Sequence, residues 1–358
     1  MASNKPIEKF RPENLAGMPS KDAKNRQQAG NSQTQPPMSI QDGLSLAIQH
    51  KSAGRIGQAE RIYRQILEVE PNHPVALHLL GVIAHMAGQS DIAIQMIRTA
   101  ISHAPEYLSA HRNLGNVFLD LSRFDEAIES YGKALAFNPK HAVTHANLAL
   151  ALHNSGRIDE AIDSYHCSLN LDPEIANTHC NLGNMYLEKR EYNAAVASYQ
   201  KALAIQPDFA QVHCNLGSAL KNQGLVDEAI AHYNQAIVLK PDYADAHNNL
   251  GTALQKLGHV IEAANKYRKA ISLNPNFADA HCNLGNALWS LRKLEEAAAS
   301  YRMALDIHPS MPEAAGSLGS VLLAMGKTNE GLALERDGFG VINFDVRKGV
   351  VYNFGKST

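Results

Sequence analysis

Residues 241–288 read PDYADAHNNLGTALQKLGHVIEAANKYRKAISLNPNFADAHCNLGNAL, and within them Pro241 and Pro275, His247 and His281, Asn249 and Asn283, and Gly251 and Gly285 each stand 34 residues apart. Outward from this stretch the proline recurs at Pro37, Pro71, Pro105, Pro139, Pro173, Pro207 and Pro309, one arithmetic series with the same step. A fixed period of this length is the mark of a repeat array, in which each unit buries its apolar face only against its neighbours. With the proline placed at position 32 of a 34-residue unit, position 8 is always small (Ala47, Gly81, Gly115, Ala149, Gly183, Gly217, Gly251, Gly285, Gly319). Position 20 is Ala from Ala59 to Ala297, and position 24 is Tyr (Tyr63, Tyr131, Tyr165, Tyr199, Tyr233, Tyr267, Tyr301) except at Ile97.

The spacing predicts two helices per unit. Positions 4, 7, 8 and 11, for example His145, Leu148, Ala149 and Leu152, fall on one face of a first helix, A, because the α-helix repeats every 3.6 residues. Positions 20, 24 and 27 do the same for a second helix, B. Position 15 between them is Gly in six units (Gly54, Gly88, Gly156, Gly224, Gly258, Gly326) and Ser122, Arg190 or Arg292 in the others, where a left-handed residue should end helix A. The position-32 proline ends helix B, since in a helix interior it costs ~3 kcal/mol.

These columns resemble the tetratricopeptide repeat (TPR) over residues 38–325. The stretches PDYADAHNNLG and PNFADAHCNLGNAL also resemble the repeat arm of O-linked N-acetylglucosamine transferases and related bacterial proteins. The resemblance implies an all-α, right-handed superhelical solenoid of helix-turn-helix units whose concave groove binds protein segments. The expected organisation is a disordered arm at 1–37, poor in large apolar side chains, and eight repeats over 38–309. A partial ninth repeat follows at 310–330, its B helix failing because Gly331 and Glu335 replace Ala and Tyr. At 331–358 the apolar period changes to 2 and reads as a β-hairpin with a turn at Arg347–Gly349, either covering the solenoid end or opening a further domain.

Composition narrows the function. A net charge of −2 argues against nucleic acid as the main partner, because phosphate binding needs clustered Lys and Arg. No apolar run reaches the ~18 residues of a membrane helix, and the opening residues carry no apolar secretory segment. Four cysteines in 358 residues suit a reducing cytoplasm rather than a disulfide scaffold. The triplets Gly326-Lys327-Thr328 and Gly355-Lys356-Ser357 lack the upstream Gly of a P-loop, and no HExxH, CxxC or GxSxG occurs. No catalytic residue, cofactor or metal site is expected.

Three polar columns remain. His111, His145, His179, His213, His247 and His281 at position 4 face the core and cannot converge on one ion across stacked helices ~8–10 Å apart. Cys180, Cys214 and Cys282, with Cys167 elsewhere, read as small packed thiols, and Trp289 as packing between repeats or a binding anchor. Asn113, Asn147, Asn181, Asn215, Asn249 and Asn283 at position 6 lie on the opposite face of helix A, so only a contact between neighbouring repeats would give them a packing role. The resemblance implies that this ladder lines the concave groove and contacts the backbone of an extended peptide, a task an amide suits because it both donates and accepts.

A carboxylate clamp of the kind used by chaperone-binding repeats is matched only by Arg112 and Asn116. Position 2 turns acidic through Asp245, Asp279 and Glu313, which favours a polar or mildly basic partner segment there. The expected function is a protein-interaction scaffold. The alternative is the recognition arm of a sugar-transferring enzyme, and self-association through open solenoid ends is a third possibility.

Overall fold

The computed structural model describes residues 38–339, 341–345 and 349–353. The arm expected at 1–37 lies outside them. The first four helix pairs are α1 (Ile40–Ser52) with α2 (Ile56–Val69), α3 (Pro74–Met86) with α4 (Ser90–His103), α5 (Leu108–Asp120) with α6 (Phe124–Phe137), and α7 (Ala142–Asn154) with α8 (Ile158–Leu171). The next four are α9 (Ala176–Glu188) with α10 (Tyr192–Ile205), α11 (Ala210–Gln223) with α12 (Val226–Leu239), α13 (Ala244–Lys256) with α14 (Val260–Leu273), and α15 (Ala278–Ser290) with α16 (Leu294–Ile307). A ninth pair follows, α17 (Pro312–Ala324) with α18 (Thr328–Phe339).

Each A helix ends in one left-handed residue. The six position-15 glycines have φ between 73° and 89°, and Ser122, Arg190 and Arg292 adopt φ of 59–61° in the same place, at roughly 1 kcal/mol each for carrying a Cβ there. The turn is closed by a pair of backbone bonds, as where Arg55 N–H donates to His50 O (2.8 Å) and Gly54 N–H to Lys51 O (3.0 Å).

Close approach of A and B explains the small residues. The position-20 alanines are fully buried and the seven tyrosines nearly so. A Cβ at Gly115, Gly183, Gly217, Gly251 or Gly285 would lie 2.5–2.7 Å from the Tyr ring of its own repeat. Consecutive A helices touch along most of the array, whereas each B helix packs on the A helices before and after it. The A helices therefore form the inner, tighter face.

The ninth repeat departs from expectation: its B helix forms. Gly319 and Gly331 allow α17 and α18 to close in, a Cβ on Gly331 being only 2.8 Å from Leu323 Cγ and 2.9 Å from Gly319 O. Glu335 occupies the Tyr slot and its carboxylate accepts a hydrogen bond from Ser320 Oγ at 2.7 Å. Beyond α18, β1 (Val341–Asp345) and β2 (Gly349–Asn353) pair antiparallel, Val341 opposite Asn353 and Asp345 opposite Gly349. The cover that this segment was expected to give the solenoid end rests on side chains outside the described residues.

Candidate partner-binding face

The position-4 histidines fasten the turns. In all six, Nε2–H donates to the carbonyl of the position-32 proline that precedes it: His111 to Pro105 (2.8 Å), His145 to Pro139 (2.9 Å), His179 to Pro173 (3.0 Å), His213 to Pro207 (3.0 Å), His247 to Pro241 (3.1 Å) and His281 to Pro275 (3.0 Å). Proline leaves that carbonyl without a helix partner, and an imidazole six residues on satisfies it. Burial pulls His179 and His247 below the ordinary imidazole value, against the opposing pull of the proline carbonyl.

On the other face of helix A the asparagines are half-buried, and in five of the six the amide nitrogen bonds backward along the stack. Asn147 donates to Asn116 Oδ1 (3.1 Å) and Asn215 to Asn184 Oδ1 (2.9 Å), both to position 9 of the preceding repeat. Asn283 donates to Asn248 Oδ1 (3.0 Å), Asn249 approaches Cys214 Sγ (3.5 Å) and Asn113 donates to His78 Nε2 (2.7 Å), all at position 5. Neighbouring repeats do meet here, so the ladder has the packing role that opposite-face geometry alone had left out. The Nδ2 donors are committed within the stack; the Oδ1 acceptors of Asn147, Asn215, Asn249 and Asn283 are not.

Position 9, the residue three after each ladder asparagine, joins the two systems. Asn116 Oδ1 accepts from Tyr131 Oη (2.8 Å) as well as from Asn147, and Asn184 Oδ1 from Tyr199 Oη (2.7 Å) as well as from Asn215. The signal was available: position 9 is polar (Asn116, Asn184, Ser218, Thr252, Asn286) wherever the Tyr hydroxyl finds a partner there. Ile48 and Leu150 occupy it where the Tyr63 and Tyr165 hydroxyls make no hydrogen bond.

The remaining expectations divide. Asp245, Asp279 and Glu313 are exposed at the rim of the A-helix face. Trp289 is half-buried and packs against the largest apolar cluster. Cys180, Cys214 and Cys282 are buried, with thiols pushed up to about 12 by burial, whereas Cys167 is exposed and is not the packed thiol expected. Among the described residues no three His, Cys, Asp or Glu side chains group to hold a metal, and no helix is long and apolar enough to cross a membrane.

Paired helices at a 34-residue period, closed by a left-handed residue and stacked A on A, define a tetratricopeptide-repeat solenoid. The chain belongs to the family described as cilia and flagella-associated protein 70 C-terminal domain, whose model matches residues 14–249, and a tetratricopeptide-repeat model matches residues 248–312. No curated protein matches the sequence.

Among solved structures, the chain is similar to the APC/C hetero-tetramer Cut9–Hcn1, with 20% identity and a TM-score of 0.57 over 74% of this chain and 52% of that one. It is also similar to Pseudomonas aeruginosa pilF, with 20% identity and a TM-score of 0.50 over 54% of this chain and 88% of that one. YrrB, described as a TPR protein with an unusual peptide-binding site, shares 25% identity at a TM-score of 0.44 over 56% of this chain and 99% of that one. The fold is that of a tetratricopeptide-repeat scaffold, and both family matches are to repeats rather than to a catalytic domain.

Proposed function

We propose that this protein is a scaffold that holds an extended polypeptide segment along its A-helix face, with the Asn113–Asn283 column as the main-chain contact. The observation that carries this reading is that the half-buried amides of Asn147, Asn215, Asn249 and Asn283 each have the nitrogen fixed by the preceding repeat while the oxygen accepts no hydrogen bond within the protein and can take a peptide N–H. Fixed donors hold the acceptors in place before the partner arrives, which lowers the ordering cost of binding. Helices stack at ~8–10 Å and an extended chain advances ~3.3 Å per residue, so one rung meets about every third residue of the segment. The rim carboxylates Asp245, Asp279 and Glu313 favour a polar or mildly basic segment over the later repeats. Four free cysteines accord with a reducing, cytoplasmic setting.

Replacing Asn181, Asn215 and Asn249 together with Ala should weaken captured partners at least tenfold, each hydrogen bond being worth roughly 0.5–1.5 kcal/mol. Because two of these side chains also bond the preceding repeat, the melting temperature should drop while the far-ultraviolet spectrum stays helical. Partners that bind the folded triple variant as tightly as wild type would overturn the groove reading. A second reading, the recognition arm of a sugar-transferring enzyme, is supported by the likeness of residues 241–251 and 275–288, and copurification of a glycosyltransferase with the native protein would favour it.

A further inference from the structure

The position-4 histidines do not converge on one another, yet one of them meets a second imidazole from helix B of its own repeat. Position 23 is Ser in four of the repeats that carry the histidine (Ser130, Ser164, Ser198, Ser300) and Lys266 in the seventh, but in repeat six it is His232. There His213 Nδ1 on α11 and His232 Nδ1 on α12 stand 3.0 Å apart, while the ring centroids are 5.3 Å apart and the planes 30° from parallel. The rings thus lean together at their Nδ1 corners. Both are half-buried, so solvent reaches the pair.

Nδ1 is the nitrogen that position 4 leaves unspent. His213 Nε2–H donates to Pro207 O at 3.0 Å, so His213 Nδ1 carries a lone pair. Repeat seven holds the same atom without the companion ring: His247 Nε2–H bonds Pro241 O, and the buried Nδ1 has no hydrogen-bond partner. A ring whose far N–H is tied to a backbone carbonyl has its orientation and tautomer fixed as a metal-ligating imidazole requires. In the hydrogen-bonded pair His232 Nδ1–H fills the lone pair of His213. When that hydrogen sits instead on His232 Nε2, the other tautomer of the same neutral ring, two lone pairs face one point.

The separation selects the ion. At an imidazole–metal distance of ~2.0–2.1 Å, nitrogens 3.0 Å apart subtend about 91–97° at the metal. That is near the right angle of a tetragonal ion, Cu(II) or Ni(II), and narrower than a tetrahedral zinc site demands. Among the described residues no third His, Cys, Asp or Glu joins the pair as a metal-holding group, which leaves the other positions to water.

We propose that His213 and His232 hold one Cu(II) or Ni(II) ion through their Nδ1 atoms, in an open site on the side of α11 away from the asparagine ladder. The site stands apart from the groove reading and is independent of it.

The test is calorimetric titration of the full chain with nickel chloride at about pH 7.5, where an ordinary imidazole is neutral. Four proteins are compared: wild type, His232→Ser, the control His103→Gln that removes an exposed imidazole, and Lys266→His. His232→Ser installs the residue that position 23 carries in four other repeats, so it should fold as wild type does. Wild type should take up one equivalent of Ni(II). His232→Ser should bind it at least about tenfold more weakly, since loss of a mere outer-shell partner already costs ~10–100-fold. His103→Gln should match wild type. Lys266→His places a second imidazole opposite the unpartnered His247 Nδ1 and should raise the uptake to two equivalents.

Equal affinity in wild type and His232→Ser means adventitious ions on surface histidines only, and overturns the proposal. So does an equal loss in His103→Gln, or a single equivalent in Lys266→His, which would show that the ion sits elsewhere than between positions 4 and 23.

Discussion

Repeats four and five share the position-4 His, position-6 Asn, position-20 Ala and position-24 Tyr and hold together in different ways. In the fifth, Gly183 lets the Tyr199 ring lie against helix A, and Asn184 takes the Tyr199 hydroxyl and the Asn215 amide on one oxygen. In the fourth, Ala149 and Leu150 stand in those places, and the buried Tyr165 hydroxyl and the Ser168 hydroxyl make no hydrogen bond. Asn181 has no position-9 oxygen in the preceding repeat to meet, Leu150 standing there. The consequence spreads past the repeat: the A-to-A approach seen between α5 and α7 and between α9 and α11 is not matched between α7 and α9. One apolar cluster runs from Cys180 to Leu334, and a separate one spans repeat four and the second half of α9. In repeats three and five a single side-chain oxygen with two lone pairs joins A to B within the repeat and repeat to repeat.

The largest effect should come from Gly183→Ala. Its Cβ would sit 2.5 Å from Tyr199 Cε1, and overpacking of this kind costs about 1–3 kcal/mol. The reverse change in repeat four, Ala149→Gly, should cost no more than about 1 kcal/mol, the helix penalty of glycine. Equal losses in denaturant melts would erase the distinction between the two repeats.

Next, Tyr199→Phe should destabilise by about 1–1.5 kcal/mol, while Tyr165→Phe should be neutral or stabilising because it removes a buried hydroxyl without a partner. The same logic makes Ser168→Ala stabilising. If Tyr165→Phe costs as much as Tyr199→Phe, the hydroxyl of Tyr165 is satisfied after all.

A smaller gain, up to about 1 kcal/mol, should follow Leu150→Asn, which installs the missing acceptor for Tyr165 and Asn181. Native-state hydrogen exchange should then slow in α8 and α9, which in wild type should open before α10–α16.

The smallest effect concerns pH at this junction, where His179 bonds Pro173 across the turn between α8 and α9. Burial lowers its folded pKa, with Lys201 pulling the same way and the proline carbonyl and Glu174 opposing. A histidine depressed on folding binds protons more readily in the unfolded chain, so its stability is full above about pH 6.5 and falls as pH drops toward the folded value. His247 acts in the same direction. Melting temperature should decline between about pH 6.5 and 5, and His179→Tyr should flatten part of that decline. Superimposable pH profiles for variant and wild type would remove His179 from the account.

Much of the architecture was legible because its determinants are local. The proline series, the position-15 glycines and the Ala and Tyr columns each describe one turn or one contact within a unit, and the structure places helices and chain reversals where they require. What escaped depends on partners 31 or 35 residues away or on substitution by an unlike side chain. Glu335 in a Tyr slot reads as a failure of helix B, yet its methylenes fill the space and Ser320 satisfies its carboxylate. The asparagines read as free amides because helix geometry alone says which face they occupy, not that the neighbouring A helix lies close enough to take their hydrogens. Position 9 was the missing clue, and its significance shows only when it is read together with the Tyr fifteen residues later.

The missing Asn184-type oxygen in repeat four also has a mechanical meaning. A solenoid loaded end to end is a set of springs in series, and extension concentrates in the softest one. In this array one soft coil lies between α7 and α9, with the first four repeats on one side and the acidic rim on the other. A segment tethered at both ends would therefore draw much of its compliance from that joint, while the repeats from α9 onward, which share one apolar cluster, would move as a stiff arm.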